Sequence, residues 1–372
     1  MKFESKKGVF LESLQLAFSA IPNKTTLQIL NNFLFNVVGN TLEVTSTDLD
    51  LTINLNIEVE GHEDGSIVVN ARKFLEVIKE LPDLPVHISV DNQLVTIKSE
   101  TGFQCNMTGF DASEYPALPN EERSKTFSLS IKAVKNLFNK TSFAVSTDFS
   151  TRLSLTGVYF EKQGDNLLMV GTDGHRLGKC WVENAAASFS KGIILPSKAV
   201  GQVIKMIHDP EASVDIEIGE ATAKFKNKSV TIYSKLIEGP YPDYEKVIPL
   251  ELNKKAVVNR EELISVLKRV ATMAHSKTKQ VKFTFEKESL FLSARNVDLG
   301  GESEESLPLK FSGKSTSIGF NGVYFLEVLR LIDTEEVSIE FSSSLGATVI
   351  KPEKDNADYF FIVMPLRLLE ED

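Results

Sequence analysis

One segment is written three times in this chain, and that repetition limits the architecture more than any other property of the sequence. Residues 66–90, SIVVNARKFLEVIKELPDLPVHISV, are echoed at 192–218, GIILPSKAVGQVIKMIHDPEASVDIEI, and at 317–341, SIGFNGVYFLEVLRLIDTEEVSIEF. Each copy reads as strand, helix, short turn, strand. Aligned on the helices, Ile78, Ile204 and Leu329 are equivalent and lie 126 and 125 residues apart, about a third of the 372-residue chain. A second echo keeps the same period: LEVTSTDLDLTI from Leu42, LLMVGTDGHRLG from Leu167 and LFLSARNVDLGG from Leu290 each carry a strand into a polar turn.

Every copy also holds an earlier amphipathic segment. Phe10, Leu14, Ala17, Phe18 and Ile21 share one face of 9–21, Ile131, Val134, Leu137 and Phe138 one face of 131–140, and Leu263, Ile264, Leu267, Val270 and Ala271 one face of 260–271. That predicts two helices per copy. The remainder is rich in short alternating strands such as 230–234 and 281–285. The expected fold class is therefore α+β, with antiparallel sheet and the helices gathered on one face of each domain. Clusters of Pro, Gly and charge place the boundaries near Glu122 and Leu250, giving domains 1–122, 123–250 and 251–372.

Charge is the next constraint. Lys plus Arg number 41 against 51 Asp plus Glu, a formal net charge of −10, which excludes a protein that coats nucleic acid with its whole surface. The helical segments depart from this balance. Across 9–21, 71–80, 131–140, 197–208, 260–271 and 321–332 there are 12 basic and 6 acidic residues, so the helices carry +6 and the rest of the chain −16. Either these are ordinary solvated helix faces, since helices accept Lys and Arg well, or they form a basic surface that tracks a phosphate backbone.

Other classes are tested by motif. Cys105 and Cys180 are too few for a disulfide framework or a four-cysteine metal site, which fits a reduced, cytoplasmic setting. Glu12, Ser13 and Gln15 interrupt the apolar run after MKFESKK at helical spacing, so the start reads as an amphipathic helix rather than a signal peptide. No apolar run approaches the ~18–20 residues of a membrane span. Ser312-Gly313-Lys314-Ser315 ends like a phosphate-binding loop, but Pro308 stands where its first glycine belongs. GxSxG, HExxH, CxxC and GxGxxG are absent, and the histidines are scattered, so neither a cofactor nor a catalytic metal is expected. Asp173-Gly174-His175-Arg176 admits three readings: a structural turn, a binding surface, or a hydrolase acting through Asp173 and His175.

Six landmarks in order carry a resemblance to a known family: TLQILNNFLF at 26–35, STDLD at 46–50, TDGHRL at 172–177, YPDYEKVIP at 241–249, IGFNGVYFLEVL at 318–329 and VMPLRL at 363–368. Over essentially its whole length the chain resembles the bacterial DNA polymerase III beta subunit, the DNA sliding clamp. The resemblance implies a non-catalytic processivity factor. Three repeated clamp domains per subunit would build a head-to-tail dimeric six-domain ring, with sheets outside and helices around double-stranded DNA. The implied partners are DNA, a second copy of the chain, the replicative DNA polymerase, a clamp loader and other proteins carrying a clamp-binding motif, with no membrane involved.

Among residues, the resemblance implies DNA contacts at Lys24, Arg72 and Lys198, and helix charge adds Lys132, Lys135, Lys140 and Lys205. In the loop 147–154, Phe149, Leu153 and Ser154 stand where some members carry glutamine and tyrosines, a departure at a DNA-contacting position. A peptide-docking pocket is implied with Leu155, Leu177, Pro242, Val247, Ile362, Val363 and Met364 as apolar walls. Its rim would be Arg152, Thr172, Gly174, His175, Arg176, Pro365, Leu366 and Arg367, with Asn321 and Tyr324 nearby. Leu369-Glu370-Glu371-Asp372 extends past the point where many members stop. The alternative from another class is a repeat-built protein-interaction scaffold that does not encircle DNA.

Overall fold

The computed structural model describes residues 1–120, 125–150, 152–187, 189, 191–206, 212–296 and 298–368. The expected boundary at Glu122, the last positions of the 197–208 helix and the tail 369–372 lie outside the described residues. Among the described residues six α-helices form where the apolar spacing places them: α1 (Lys7–Phe18), α2 (Ala71–Glu80), α3 (Ile131–Ser142), α4 (Ser197–Lys205), α5 (Arg260–Val270) and α6 (Gly322–Leu331). Asparagine starts three of them. The side chains of Asn70, Asn259 and Asn321 accept from the amides of Lys73, Glu262 and Val323, each at 3.0 Å, satisfying donors that the helix itself leaves unpaired. α1 begins two residues before the expected start, and Lys7 there donates to the Lys79 and Leu81 carbonyls at the end of α2. Ile21 falls in the turn beyond α1.

The chain forms two compact units. The first comprises Met1–Val134, Ala186–Phe189 and Lys198–Leu236. It contains an eight-stranded antiparallel sheet, in spatial order Phe127–Ser130, Ser213–Ile218, Thr222–Asn227, Val230–Lys235, Leu51–Glu58, Thr41–Thr47, Asn32–Val38, Gly65–Asn70. It also holds a five-stranded sheet, Glu60–Glu63, Lys2–Lys6, Pro85–Asp91, Leu94–Ser99, Gln104–Thr108. Between helices and sheets, Phe10 and Phe35 each meet Phe74 edge-on, with centroids 5.9 and 5.0 Å apart, an arrangement favoured by the ring quadrupoles.

The second unit comprises Lys135–Ala185, Ser190–Ser197 and Ile237–Asp372. Its nine-stranded sheet runs Ile193–Pro196, Gly157–Gln163, Asn166–Thr172, Arg176–Val182, Tyr359–Val363, Thr348–Pro352, Glu336–Phe341, Lys254–Asn259, Lys310–Ser312, and its four-stranded sheet Gly301–Pro308, Ser289–Asn296, Gln280–Phe285, Thr316–Asn321. Glycine is required where α3 ends on the larger sheet. A Cβ on Gly171 would stand 2.1 Å from the Thr141 carbonyl oxygen, and one on Gly178 2.2 Å from that of Lys140.

Each large sheet joins strands from two successive copies, and the two joints follow one rule. In the first unit Ser234 pairs with Leu51 and Val230 with Leu55, and the ladder ends with the Lys235 amide donating to the Asp50 carbonyl at 2.7 Å. In the second, Val363 pairs with Arg176 and Tyr359 with Cys180, and the Met364 amide donates to the His175 carbonyl at 2.9 Å. Asp50 and His175 are the fourth residues of the equivalent turns TDLD and TDGH. The strand following one copy's turn thus pairs with the last strand of the next copy, in the same register both times.

Candidate functional site

The TDGH turn is built by its own side chains. Asp173 Oδ1 accepts from the amides of His175 and Arg176 at 2.9 and 3.0 Å, Thr172 Oγ1 donates to the Arg176 carbonyl at 2.6 Å, and Gly174 supplies the left-handed φ of +88°. The other Asp173 oxygen, Oδ2, lies 3.2 Å from Arg176 Nε. Both carboxylate oxygens therefore serve the turn and a guanidinium, which is structural work and not that of a general base.

Strand alternation then divides the expected pocket residues between two faces of the nine-stranded sheet. Leu177 pairs with Ile362, and both belong to a buried cluster with Val170, Tyr244 and Val349, against which Tyr159, Tyr241, Ile248, Phe360 and Met364 pack half-buried. Tyr159 and Tyr241 stack with centroids 4.9 Å apart at 9°. The Tyr244 hydroxyl donates to Glu161 at 2.6 Å, and burial beside that carboxylate pushes the phenol's pKa up. Leu155, Pro242 and Thr172 are half-buried or buried, while Val247 is exposed. Val363 is corrected: one residue from Ile362 on the strand, it is fully buried on the opposite face, paired with Arg176 and Thr348, and cannot form a wall with Ile362 and Met364.

That opposite face is organised around Arg176. Its guanidinium lies 4.4 Å from the Tyr324 ring centroid and 5.4 Å from that of Phe143, within cation–π range, and it pairs with Asp173 and with Glu327 of α6. Glu327 has no motif of its own, and only its helical spacing from Tyr324 could have pointed to it. Asn321 caps α6 with its side-chain oxygen, so its first role is structural. The segment 365–368 lies against the free edge of Thr316–Asn321: the Leu366 amide donates to the Gly319 carbonyl at 2.7 Å and Gln280 Nε2 to the Arg367 carbonyl at 2.9 Å. Of the residues expected at the rim, Arg152, Gly174, His175 and Arg367 are exposed, and Pro365 and Leu366 half-buried.

The cations expected to face DNA differ in availability. In the first unit Lys24, Arg72, Lys132, Lys198 and Lys205 are exposed, with Arg72 over the Phe18 ring at 5.6 Å and Lys198 paired with Asp48. In the second, Lys135 is partly exposed, Phe149 is 72% and Leu153 54% exposed, and Ser154 is intermediate. Lys140 is corrected: its ammonium is buried, donates to the Leu331 carbonyl and lies 4.0 Å from the Tyr359 ring centroid. Burial holds its pKa below the ordinary lysine value, with Asp333 acting in the opposite direction. The helical excess of positive charge thus includes cations that already have partners within the protein: the buried Lys140, and the exposed Arg269, which Glu305 holds at 2.6 Å.

Among the described residues no helix is long and apolar enough to cross a membrane, and no group of three or more His, Cys, Asp or Glu side chains could hold a metal ion. Residues 1–119, 128–243 and 245–367 match the N-terminal, central and C-terminal domains of the DNA polymerase III beta subunit. The chain is 30% identical to the beta sliding clamp of Staphylococcus epidermidis and 31% identical to that of Staphylococcus aureus, with 99% of each chain covered. Among solved structures it is similar to a sliding clamp from Pseudomonas aeruginosa bound to griselimycin, with TM-score 0.94 and 30% identity over 99% of this chain and 100% of that one. The Bacillus subtilis clamp gives TM-score 0.93 at 30% identity, with the same coverage.

Proposed function

The chain belongs to the DNA polymerase III beta-subunit family of sliding clamps, non-catalytic processivity factors, and from that premise we propose that two copies close head to tail around duplex DNA. The repeated joint carries the proposal. Two of the three copies offer the strand after their turn to the next copy within the chain. The third copy's equivalent strand, Gly301–Pro308, is an edge of its sheet, and the first copy's last strand, Gln104–Thr108, is an edge of another. Pairing these between chains applies the same rule once more, removes both exposed edges, and closes after two subunits when the rotation per copy is a sixth of a turn. Beside the Gln104–Thr108 edge an apolar hollow lined by Val77, Leu81, Pro82 and the exposed Phe103 would be covered by the same contact. The domain limits 1–122, 123–250 and 251–372 belong to this reading.

Within such a ring Lys24, Arg72, Lys132, Lys198 and Lys205, with Lys135, supply sequence-independent attraction to phosphate, and the exposed Phe149 and Leu153, with Ser154, add loop contacts. Encirclement, not affinity, holds the clamp. The Leu177–Ile362–Met364 face, with its tyrosines, is the docking pocket for short peptides of the replicative polymerase, the clamp loader and other clamp-binding proteins in the cytoplasm, their apolar anchors filling it and rim groups orienting the backbone. Loading on nicked circular DNA tests the whole reading: the protein should stay bound until the circle is linearised and then run off, whereas retention indifferent to linearisation would refute encirclement.

A further inference from the structure

The equivalent turns of the first two copies treat their aspartates alike. Asp48 Oδ1 accepts from the amides of Asp50 and Leu51 at 3.0 and 2.7 Å, as Asp173 Oδ1 does from His175 and Arg176. In both turns Oδ2 is left to hold a cation. For Asp173 that cation is Arg176, three residues on and 11% exposed, an internal pair. For Asp48 it is Lys198, 150 residues on, in the first turn of α4 and 46% exposed. The ammonium of Lys198 is therefore in solvent's reach yet already neutralised by a carboxylate that is itself only 17% exposed and pinned by its own turn. A carboxylate oxygen on a lysine at a helix N-terminus occupies the kind of place a phosphate oxygen takes.

We infer that Asp48 is an internal competitor for the DNA backbone: it occupies Lys198 until a phosphate displaces it, and so sets how strongly this position grips the duplex. The inference rests on the reading that Lys198 faces DNA. A lysine shared between a tethered carboxylate and a passing phosphate exchanges one anion for another, so each step along the duplex has a partner ready to take the charge back. The turn would survive loss of the charge, because an asparagine keeps the oxygen that accepts the two amides.

The test uses the full chain and a dye-labelled blunt duplex, which a closed ring can thread from an end, with affinity measured by anisotropy across a salt series. Lys198→Ala should weaken binding. Asp48→Asn should tighten it about threefold, the worth of one exposed ion pair released, and steepen the dependence of log affinity on log salt by about one. In the Lys198→Ala background Asp48→Asn should change nothing. Equal tightening in that background would mean that Asp48 acts through long-range repulsion, and would overturn the inference, as would no effect of Asp48→Asn where Lys198→Ala weakens binding. If Lys198→Ala and Lys24→Ala with Arg72→Ala all leave affinity unchanged, the DNA-facing reading itself has failed, and the inference with it.

Discussion

The intersubunit joint can be tested by the side on which its residues point. At both joints inside the chain, residues facing the helices pair with residues facing the helices: buried Ile232 with Ile53, and Phe361 with Gly178 against α3. On Gln104–Thr108 the inward positions are Cys105 and Met107, opposite buried Ile97 and Val95. On Gly301–Pro308 they are Gly301, Ser303, Glu305 and Leu307, opposite Asn296, Ala294, Leu292 and Leu290. In the register of both inner joints the residue three past the turn's fourth position, Ile53 or Gly178, meets an inward residue of the next copy's last strand; in the third copy that residue is Gly301, so Cys105 faces Gly301, or Ser303 one pair further along, and never Glu302 or Glu304. Directly opposed positions bring Cβ atoms to about 4.5–5.5 Å, close to disulfide geometry, while diagonal neighbours stand about 7–8 Å apart. One of Gly301→Cys and Ser303→Cys should then oxidise onto native Cys105 at both seams, and Glu302→Cys and Glu304→Cys should not. Cys180 stays out of the reaction, since burial removes it from solvent and pushes its thiol up to about 12. The assay is retention on nicked circular DNA after detergent denaturation: a ring locked at both seams stays threaded, and a non-reducing gel of released protein shows a species of twice the 41.3 kDa chain. Linking through Glu302→Cys or Glu304→Cys, or through none of the four, would refute the pairing rule.

Three further outcomes are expected. Met364→Ala removes a wall of the tyrosine-lined face and should weaken binding of a polymerase-derived peptide by roughly tenfold with dimerisation unchanged; equal affinity by calorimetry would remove Met364 from the pocket. Lys140→Met should leave retention on DNA unchanged. Because burial lowers the Lys140 pKa below the ordinary 10.5, the unfolded chain binds more protons in the window just under that value, so this group's contribution to stability rises with pH there and the variant should lose that slope in denaturation series. Gly178→Ala drives a Cβ into the Lys140 carbonyl and should cost about 1–3 kcal/mol or more by chemical unfolding, while an unchanged midpoint would contradict the tight seat of α3.

The repeat, the six helices and the strand–helix–strand units could be read from the chain because period and apolar spacing are local properties, and the asparagines at 70, 259 and 321 mark three helix starts as plainly. The burial of Lys140 could not: what covers it is Leu331 and Tyr359, about two hundred residues further on, and spacing within α3 leaves it on a flank. Lys198 looked free for the same reason, since Asp48 is 150 residues away. Val363 is different. Strict alternation from Ile362 already sets it on the other face, and the resemblance, naming three neighbours together, obscured a period of two.

The shared register of the two joints bears on any attempt to excise the middle third of the chain. Residues Val230–Lys235 and Arg176–Val182 would both be stripped of their mates, leaving a short module with complementary sticky borders and nothing to cap either one. Such a fragment would string itself into open filaments or precipitate, so biophysical work on a single copy should begin by placing a lysine or proline on one of those borders.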